Sequence, residues 1–222
     1  MSMHQPLIKI CGLTDARTID RIIERQLEVD WFGFVFAPSK RQMPIAEWKI
    51  ISKAVPAGKQ KKAGVFVNPT RNELDEVFSA GELDIVQLHG TETAAFCKTV
   101  KHRYSCKVMK VFGIPVGGQD TEAFELDPYE GVVDYVLLDT ITKKQAGGTG
   151  KAFDWDNIPP YLAWCRARNV PLLVAGGINE SNVAELLQKF GPDGVDISSG
   201  VETEGVKDLQ KIAGFIERVR GR

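Results

Sequence analysis

Eight short apolar runs that alternate with amphipathic segments predict an α/β chain, a single-domain (β/α)8 TIM barrel spanning residues 1–222. Two further observations point the same way. Polar residues with chemical uses sit at the carboxyl ends of these runs, and small glycine-rich segments follow the last two. Eight units in a chain of 222 residues suit a closed parallel barrel better than an open doubly wound sheet, which usually needs fewer strands. No linker, low-complexity tract or shift in composition divides the chain.

The first run, 7–10, ends at Cys11-Gly12, and Thr14 is placed to cap a helix whose apolar stripe is Ala16, Ile19, Ile23 and Leu27. The second, 31–36, leads into Ala37-Pro38-Ser39-Lys40-Arg41. The third, 63–67, ends at Asn68 before a helix marked by Leu74, Val77 and Phe78. The fourth, 85–88, carries Gln87 and is followed by His89-Gly90. After the fifth, 107–112, only a short stretch over 122–126 precedes Pro128, so this unit is expected to be abbreviated. The sixth, 135–138, ends at Asp139. The seventh, 172–174, enters Ala175-Gly176-Gly177 and a helix with Val183, Leu186, Leu187 and Phe190. The eighth, 195–198, enters Ser199-Gly200, and Leu209, Ile212, Ile216 and Val219 line the final helix.

With 28 Lys and Arg against 29 Asp and Glu, the chain carries no electrostatic footprint for nucleic acid or an anionic membrane. No apolar run approaches the roughly 18 residues of a membrane span. The amino end lacks the order of a secretory signal, which makes a cytoplasmic location the expectation. Cys11, Cys97, Cys106 and Cys165 form no CxxC pair, and His4, His89 and His102 are scattered, so neither a metal site nor a disulfide framework is expected.

In such barrels the reactive groups lie at the carboxyl ends of the strands. Cys11 and Asp139 share that address, as a thiol and a carboxylate that could serve as base and acid in one pocket. Taken alone, Cys11 reads first as a small buried hydrophobe, and Asp139 equally as a turn residue. Cys97 and Cys165 look like packing residues, and Cys106 falls at the opposite end of its strand. Lys9 shares a strand face with Cys11, so its ammonium is placed to stabilise a thiolate and lower the thiol pKa toward neutrality. His89 either lines the pocket or satisfies loop carbonyls. The segment Ala146-Gly147-Gly148-Thr149-Gly150-Lys151-Ala152 misses the phosphate-loop pattern at both ends and reads instead as a lid. Gly176-Gly177 and Ser199-Gly200 occupy the two loops that commonly build a phosphate site from backbone N–H groups.

Taken together, these segments closely resemble the phosphoribosylanthranilate isomerase family of tryptophan biosynthesis. The matching stretches are Lys9-Ile10-Cys11-Gly12-Leu13-Thr14, Gly33-Phe34-Val35-Phe36 with Ser39-Lys40-Arg41, Gly64-Val65-Phe66-Val67-Asn68, Val86-Gln87-Leu88-His89-Gly90, Leu137-Leu138-Asp139-Thr140, Gly147-Gly148-Thr149-Gly150-Lys151 with Phe153-Asp154-Trp155, Ala175-Gly176-Gly177-Ile178, and Val195-Asp196-Ile197-Ser198-Ser199-Gly200-Val201-Glu202. They run in the family's order from one end of the chain to the other.

The resemblance implies a cofactor-free Amadori rearrangement of N-(5-phosphoribosyl)anthranilate, with Asp139 as general acid and Cys11 as general base. It also implies that Arg41 pairs with the anthranilate carboxylate, and that His89, Gly148, Gly176, Gly177, Ser199 and Gly200 help to bind the phosphorylated aminosugar. With no indoleglycerol-phosphate synthase half attached, a monofunctional isomerase is expected, as a monomer or a homodimer. The alternatives are another phosphosugar isomerase or epimerase, which would normally use two carboxylates or a metal, and a non-catalytic phosphosugar-binding barrel.

Overall fold

β1 (Leu7–Cys11), β2 (Trp31–Val35), β3 (Lys61–Phe66), β4 (Ile85–Leu88), β5 (Lys107–Pro115), β6 (Tyr135–Thr142), β7 (Leu172–Val174) and β8 (Gly194–Ile197) each pair in parallel with both neighbours, and β8 pairs with β1 to close the ring. The computed structural model describes residues 5–56, 58–116, 126–142, 145–146 and 152–221. A further two-residue strand, Gln145–Ala146, runs antiparallel to the end of β6. The helices are α1 (Ala16–Glu24), α2 (Ile45–Ala54), α3 (Arg71–Ala80), α4 (Ala94–Tyr104), α5 (Ile158–Ala167), α6 (Val183–Phe190) and α7 (Leu209–Arg220). In the unit after β5 the described residues contain a 3-10 turn, Asp127–Tyr129, and the stretch expected to be abbreviated, 122–126, lies outside the described residues except for its last position.

Strand parity sorts the side chains into two compartments. Outward residues such as Phe32, Phe34, Val136, Leu138 and Val195 are fully buried against the helices, each burial worth about 1.5–3 kcal/mol before chain entropy is counted. Trp31, Ala63, Ile85, Met109, Leu137 and Leu173 point inward and fill the lower barrel as a separate cluster. Above that plug the inward positions turn polar. Lys9, Gln87, Asp139 and Asp196 are all buried there, together with Cys11.

Two local expectations need correction. Asp15, not Thr14, caps α1: its Oδ1 accepts from the backbone N–H of Thr18 at 2.8 Å, a role for which a short carboxylate at the helix entrance is well suited. β5 and β6 also continue beyond 112 and 138, staying paired from Met109↔Tyr135 to Pro115↔Ile141. Gly113 had read as the start of a loop, but it remains in the ladder because it leaves room for the Ile141 side chain directly above it.

Candidate active site

The polar upper barrel opens into a cavity of about 560 Å³ lined by Cys11, Arg41, Gln87, His89, Asp139 and Asp196, with Gly176, Gly177, Ser198 and Ser199 on one side. A smaller hollow of about 240 Å³ lies beside it under the loop after β2, among Met43, Phe66 and Val77; Cys11 and Asp139 line only the larger cavity. Tertiary closure therefore brings the thiol and the carboxylate, 128 positions apart by subtraction of their numbers, onto one wall system.

Cys11 stands over a buried ion pair. The Lys9 ammonium donates to Asp196 Oδ2 at 2.8 Å, a pairing set by the β1–β8 register that places the two residues side by side. Lys9 also interacts with the Cys11 thiol. Gly33 makes this approach possible: a Cβ there would lie 3.0 Å from both Cys11 Sγ and Lys9 Nζ. Burial opposes the ammonium charge on Lys9, but Asp196 and Cys11 outweigh it and hold the group above its ordinary pKa. For the thiol the balance falls the other way. Burial pushes Cys11 up, with Lys9 and Lys207 opposing and Asp196 reinforcing it. Lys9 acts in the expected direction but does not bring the thiol toward neutrality, because the cation is shared with Asp196 and desolvation of the thiolate costs more than the ammonium returns.

A titration checks this. With the pKa raised, the thiolate fraction at pH 7 is small and grows with pH, so iodoacetamide modification of Cys11 should accelerate by about tenfold per pH unit from 7 to 8.5. A rate already level at pH 7 would show that the ammonium dominates. The other thiols face away from the cavity, and burial raises Cys97 and Cys106 to about 11 and Cys165 to about 12.

Asp139 is buried at the end of the barrel portion of β6. Its Oδ1 accepts from the backbone N–H of Thr140 at 2.7 Å, which fixes the carboxyl plane. Its Oδ2 lies 3.3 Å from His89 Nε2, close enough for an ion pair, yet the imidazole nitrogen makes no aligned hydrogen bond among the described residues. His89 therefore lines the cavity beside the carboxyl, and its backbone N–H is committed to Phe66 O. Gly176 closes over the same spot. Its φ of +80° suits glycine, and a Cβ there would collide with Thr140 Oγ1 and lie 2.6 Å from the Thr140 nitrogen and 2.8 Å from Asp139 Oδ1.

Arg41 reaches the opposite part of the wall, where Nε and Nη2 donate to Glu202 Oε1 and Oε2, both at 2.7 Å. Glu202 also accepts from Lys207 at 2.7 Å. Burial would raise Glu202, but the hydrogen bonds from Arg41 and Lys207 outweigh it and hold the carboxylate below its usual range. Burial lowers Lys207, with Glu202 opposing. Ser198 ties this group to the backbone of Cys11, since its hydroxyl donates to the Cys11 carbonyl at 3.0 Å and the Lys207 ammonium donates to Ser198 O at 3.0 Å.

The first turn of the 3-10 segment Ser199–Val201 leaves the Ser199 and Gly200 N–H groups without intrahelical acceptors, as at any helix start. Gly200 packs so tightly on the Ile178 carbonyl that a Cβ would overlap it, which locks the loops after β7 and β8 together. Gly177 takes φ +66°, and its carbonyl accepts from Asn182 Nδ2 at 3.0 Å. These two loops form one edge of the cavity, as expected for an anion cradle.

Of the site residues expected from sequence, Cys11, Arg41, His89, Asp139, Gly176, Gly177 and Ser199 line the same cavity, and Gly200 supports it from behind. Gly148 and the expected lid at 147–151 lie outside the described residues. Asp196, Glu202 and Lys207 had been given no role. Asp196 carried a readable signal, a carboxylate in the middle of the apolar strand Gly194–Ile197 at an inward position. Lys207 carried none, because its burial follows from a short hairpin that local patterning does not mark. Among the described residues no helix is long and apolar enough to cross a membrane, and no three His, Cys, Asp or Glu side chains are grouped to hold a metal ion.

The chain was compared with known proteins. The family model for N-(5'phosphoribosyl)anthranilate (PRA) isomerase matches residues 8–218. The N-(5'-phosphoribosyl)anthranilate isomerase of Brevibacillus brevis is 46% identical over 213 residues, covering 96% of this chain and 93% of that one. The crystal structure of the Thermotoga maritima phosphoribosyl anthranilate isomerase superposes with a TM-score of 0.80 at 34% identity, covering 98% of this chain and all of that one (100%). A phosphoribosyl anthranilate isomerase in complex with reduced 1-(o-carboxyphenylamino)-1-deoxyribulose 5-phosphate superposes with a TM-score of 0.77 at 33% identity, with coverage of 98% and 100%.

Proposed function

Since the chain belongs to the N-(5'-phosphoribosyl)anthranilate isomerase family, we propose that it converts N-(5'-phosphoribosyl)anthranilate to 1-(o-carboxyphenylamino)-1-deoxyribulose 5-phosphate, a step of tryptophan biosynthesis, with Asp139 as acid and Cys11 as base. The observation that carries this reading is the presence of both groups on the wall of one cavity whose edge is formed by the loops after β7 and β8.

The chemistry asks for little else. Asp139 gives its proton to the ring oxygen, the ring C–O bond breaks, and the nitrogen lone pair forms the C1′=N Schiff base. Cys11, as thiolate, then takes the C2′ proton, and the electrons of that C–H bond form the C1′=C2′ bond of an enolamine while the iminium is neutralised. Tautomerisation moves a proton from the C2′ hydroxyl to C1′ and yields the ketone. The aldose carbon is reduced by the ketose carbon within one molecule, so no external oxidant or reductant enters the balance.

The raised Cys11 pKa gives Lys9 a specific place in this scheme. Its ammonium opposes the rise of the thiol and so lowers the cost of forming the thiolate before the C2′ proton is taken. Asp139 has one oxygen anchored by Thr140, which leaves Oδ2 as the oxygen that faces the reaction. Arg41 would receive the substrate's aromatic carboxylate, and backbone N–H groups at Gly177, Ser199 and Gly200 its phosphate.

Purified protein is expected to consume N-(5'-phosphoribosyl)anthranilate, seen as loss of its fluorescence, without added metal or nucleotide. Binding of a reduced product analogue without any turnover would instead favour a non-catalytic phosphosugar-binding barrel. Here the paired acid and base count against that alternative.

A further inference from the structure

The hairpin that follows the last strand builds a buried charge triad behind Arg41. Glu202–Thr203 pairs antiparallel with Val206–Lys207, in a register that sets Glu202 directly opposite Lys207. The two side chains are almost fully buried, and Glu202 accepts from Arg41 on one side and Lys207 on the other. The hairpin is held in place by Lys211 Nζ donating to the Glu202 carbonyl at 2.7 Å and by the Asp208 N–H donating to Val201 O at 2.9 Å.

We propose that Glu202 and Lys207 are positioning residues that make Arg41 a directed, still cationic receptor for the aromatic carboxylate of the substrate. This rests on the reading of Arg41 given under the proposed function and extends it to two residues that do not themselves touch the ligand.

Two physical points carry it. Glu202 takes the Nε and Nη2 side of the guanidinium in a bidentate contact, so the N–H groups on the Nη1 side are the ones left for a second carboxylate, and the plane is already fixed. A lone Arg–Glu pair is neutral and would attract an anion weakly. Lys207 changes that balance, because two cations against one carboxylate leave one positive charge in a desolvated setting. The aliphatic part of Arg41 lies across Gly12, where a Cβ would fall on Arg41 Cδ, so the receptor is seated directly beside the loop of Cys11. Stability alone is a poor explanation for such a triad, since buried ion pairs contribute little relative to apolar packing.

The test is a set of steady-state measurements on Lys207→Met, Lys207→Arg, Arg41→Ala and the double variant Arg41→Ala/Lys207→Met. Lys207→Met is expected to raise KM for N-(5'-phosphoribosyl)anthranilate about tenfold, comparable to one charge-assisted contact, and, because Lys207 also opposes the rise of the Cys11 thiol, to lower kcat by a smaller factor. Lys207→Arg should restore most of the KM. In the Arg41→Ala background the same lysine change should add nothing further.

Because Lys207 also bonds Ser198 on the edge formed by the loops after β7 and β8, inhibition by inorganic phosphate is measured in parallel and should be unchanged in Lys207→Met. A matching rise in the phosphate inhibition constant would move the role of Lys207 to the phosphate and overturn the proposal. So would an equal KM rise with Arg41 already removed, or an unaltered KM in Lys207→Met. An unaltered KM in Arg41→Ala would instead sink the carboxylate reading of Arg41 on which the proposal stands. If Lys207→Met does not fold, Lys207→Gln keeps a donor toward Ser198 without the charge and carries the same expectations.

Discussion

Asp139→Asn is expected to lower kcat by about 10² or more, and Cys11→Ser by a similar factor, with little change in KM for either. The asparagine is close to isosteric, and its carbonyl oxygen can still accept from the Thr140 N–H that anchors Oδ1, so the wall of the cavity should keep its shape. What is lost is the proton that opens the sugar ring. In Cys11→Ser a hydroxyl replaces the thiol, and an alkoxide is far harder to form than a thiolate even with Lys9 beside it. Steady-state kinetics together with urea unfolding of the same preparations will separate lost chemistry from lost fold. Near wild-type kcat in Asp139→Asn would remove Asp139 as the acid and turn attention to Asp196, the other buried carboxylate of the cavity.

Lys110→Met is expected to destabilise the protein by about 3–5 kcal/mol, the largest loss of stability foreseen for a single side chain outside the hydrophobic layers. Lys110 lies inside the fold, where Nζ donates to Glu92 Oε2 at 2.9 Å and to the Gly90 carbonyl at 2.7 Å. Glu92 in turn accepts from the backbone N–H of Asn68 at 2.7 Å and of Gly90 at 3.0 Å, and the Tyr129 hydroxyl donates to its carbonyl at 2.8 Å. One buried ion pair thus knots the loops after β3 and β4 to β5 and to the turn Asp127–Tyr129. Removing only the lysine strands a carboxylate whose side chain is 2% exposed.

The double variant Lys110→Met/Glu92→Gln should recover part of the loss, because it removes the uncompensated charge as well. Chemical denaturation with a shared m-value is the measurement, and a double variant less stable than the sum of its parts would contradict this account. His89 is the neighbour of Gly90 in the same loop, so Lys110→Met is also expected to loosen the contact between His89 and Asp139.

Much of this was legible from local order. Eight apolar runs, most of them followed by a helical pattern, were enough for the barrel, because each amphipathic helix must cover an apolar strand and a parallel sheet needs a crossover each time. Parity along Leu7–Cys11 correctly put Lys9 and Cys11 on one face, and the cavity lines up with the strand-end positions of Cys11, His89 and Asp139. The cap at Asp15 was not legible, since Thr14 and Asp15 are both capping residue types and only backbone geometry selects between them.

By itself, then, the amino-acid order of this protein determined the repeated unit, the barrel and the addresses of its thiol and carboxyl, because these follow from periodicities of two and 3.6 residues within short windows. Only the tertiary structure decided the charge state of the site. The β1–β8 register set Asp196 beside Lys9, and burial then raised the Cys11 thiol against the pull of its lysine. A hairpin of two-residue strands brought Lys207 to Glu202 and through it to Arg41. Desolvation and pairwise charge act over a few ångströms of space irrespective of separation along the chain, so they appear once the ring has closed.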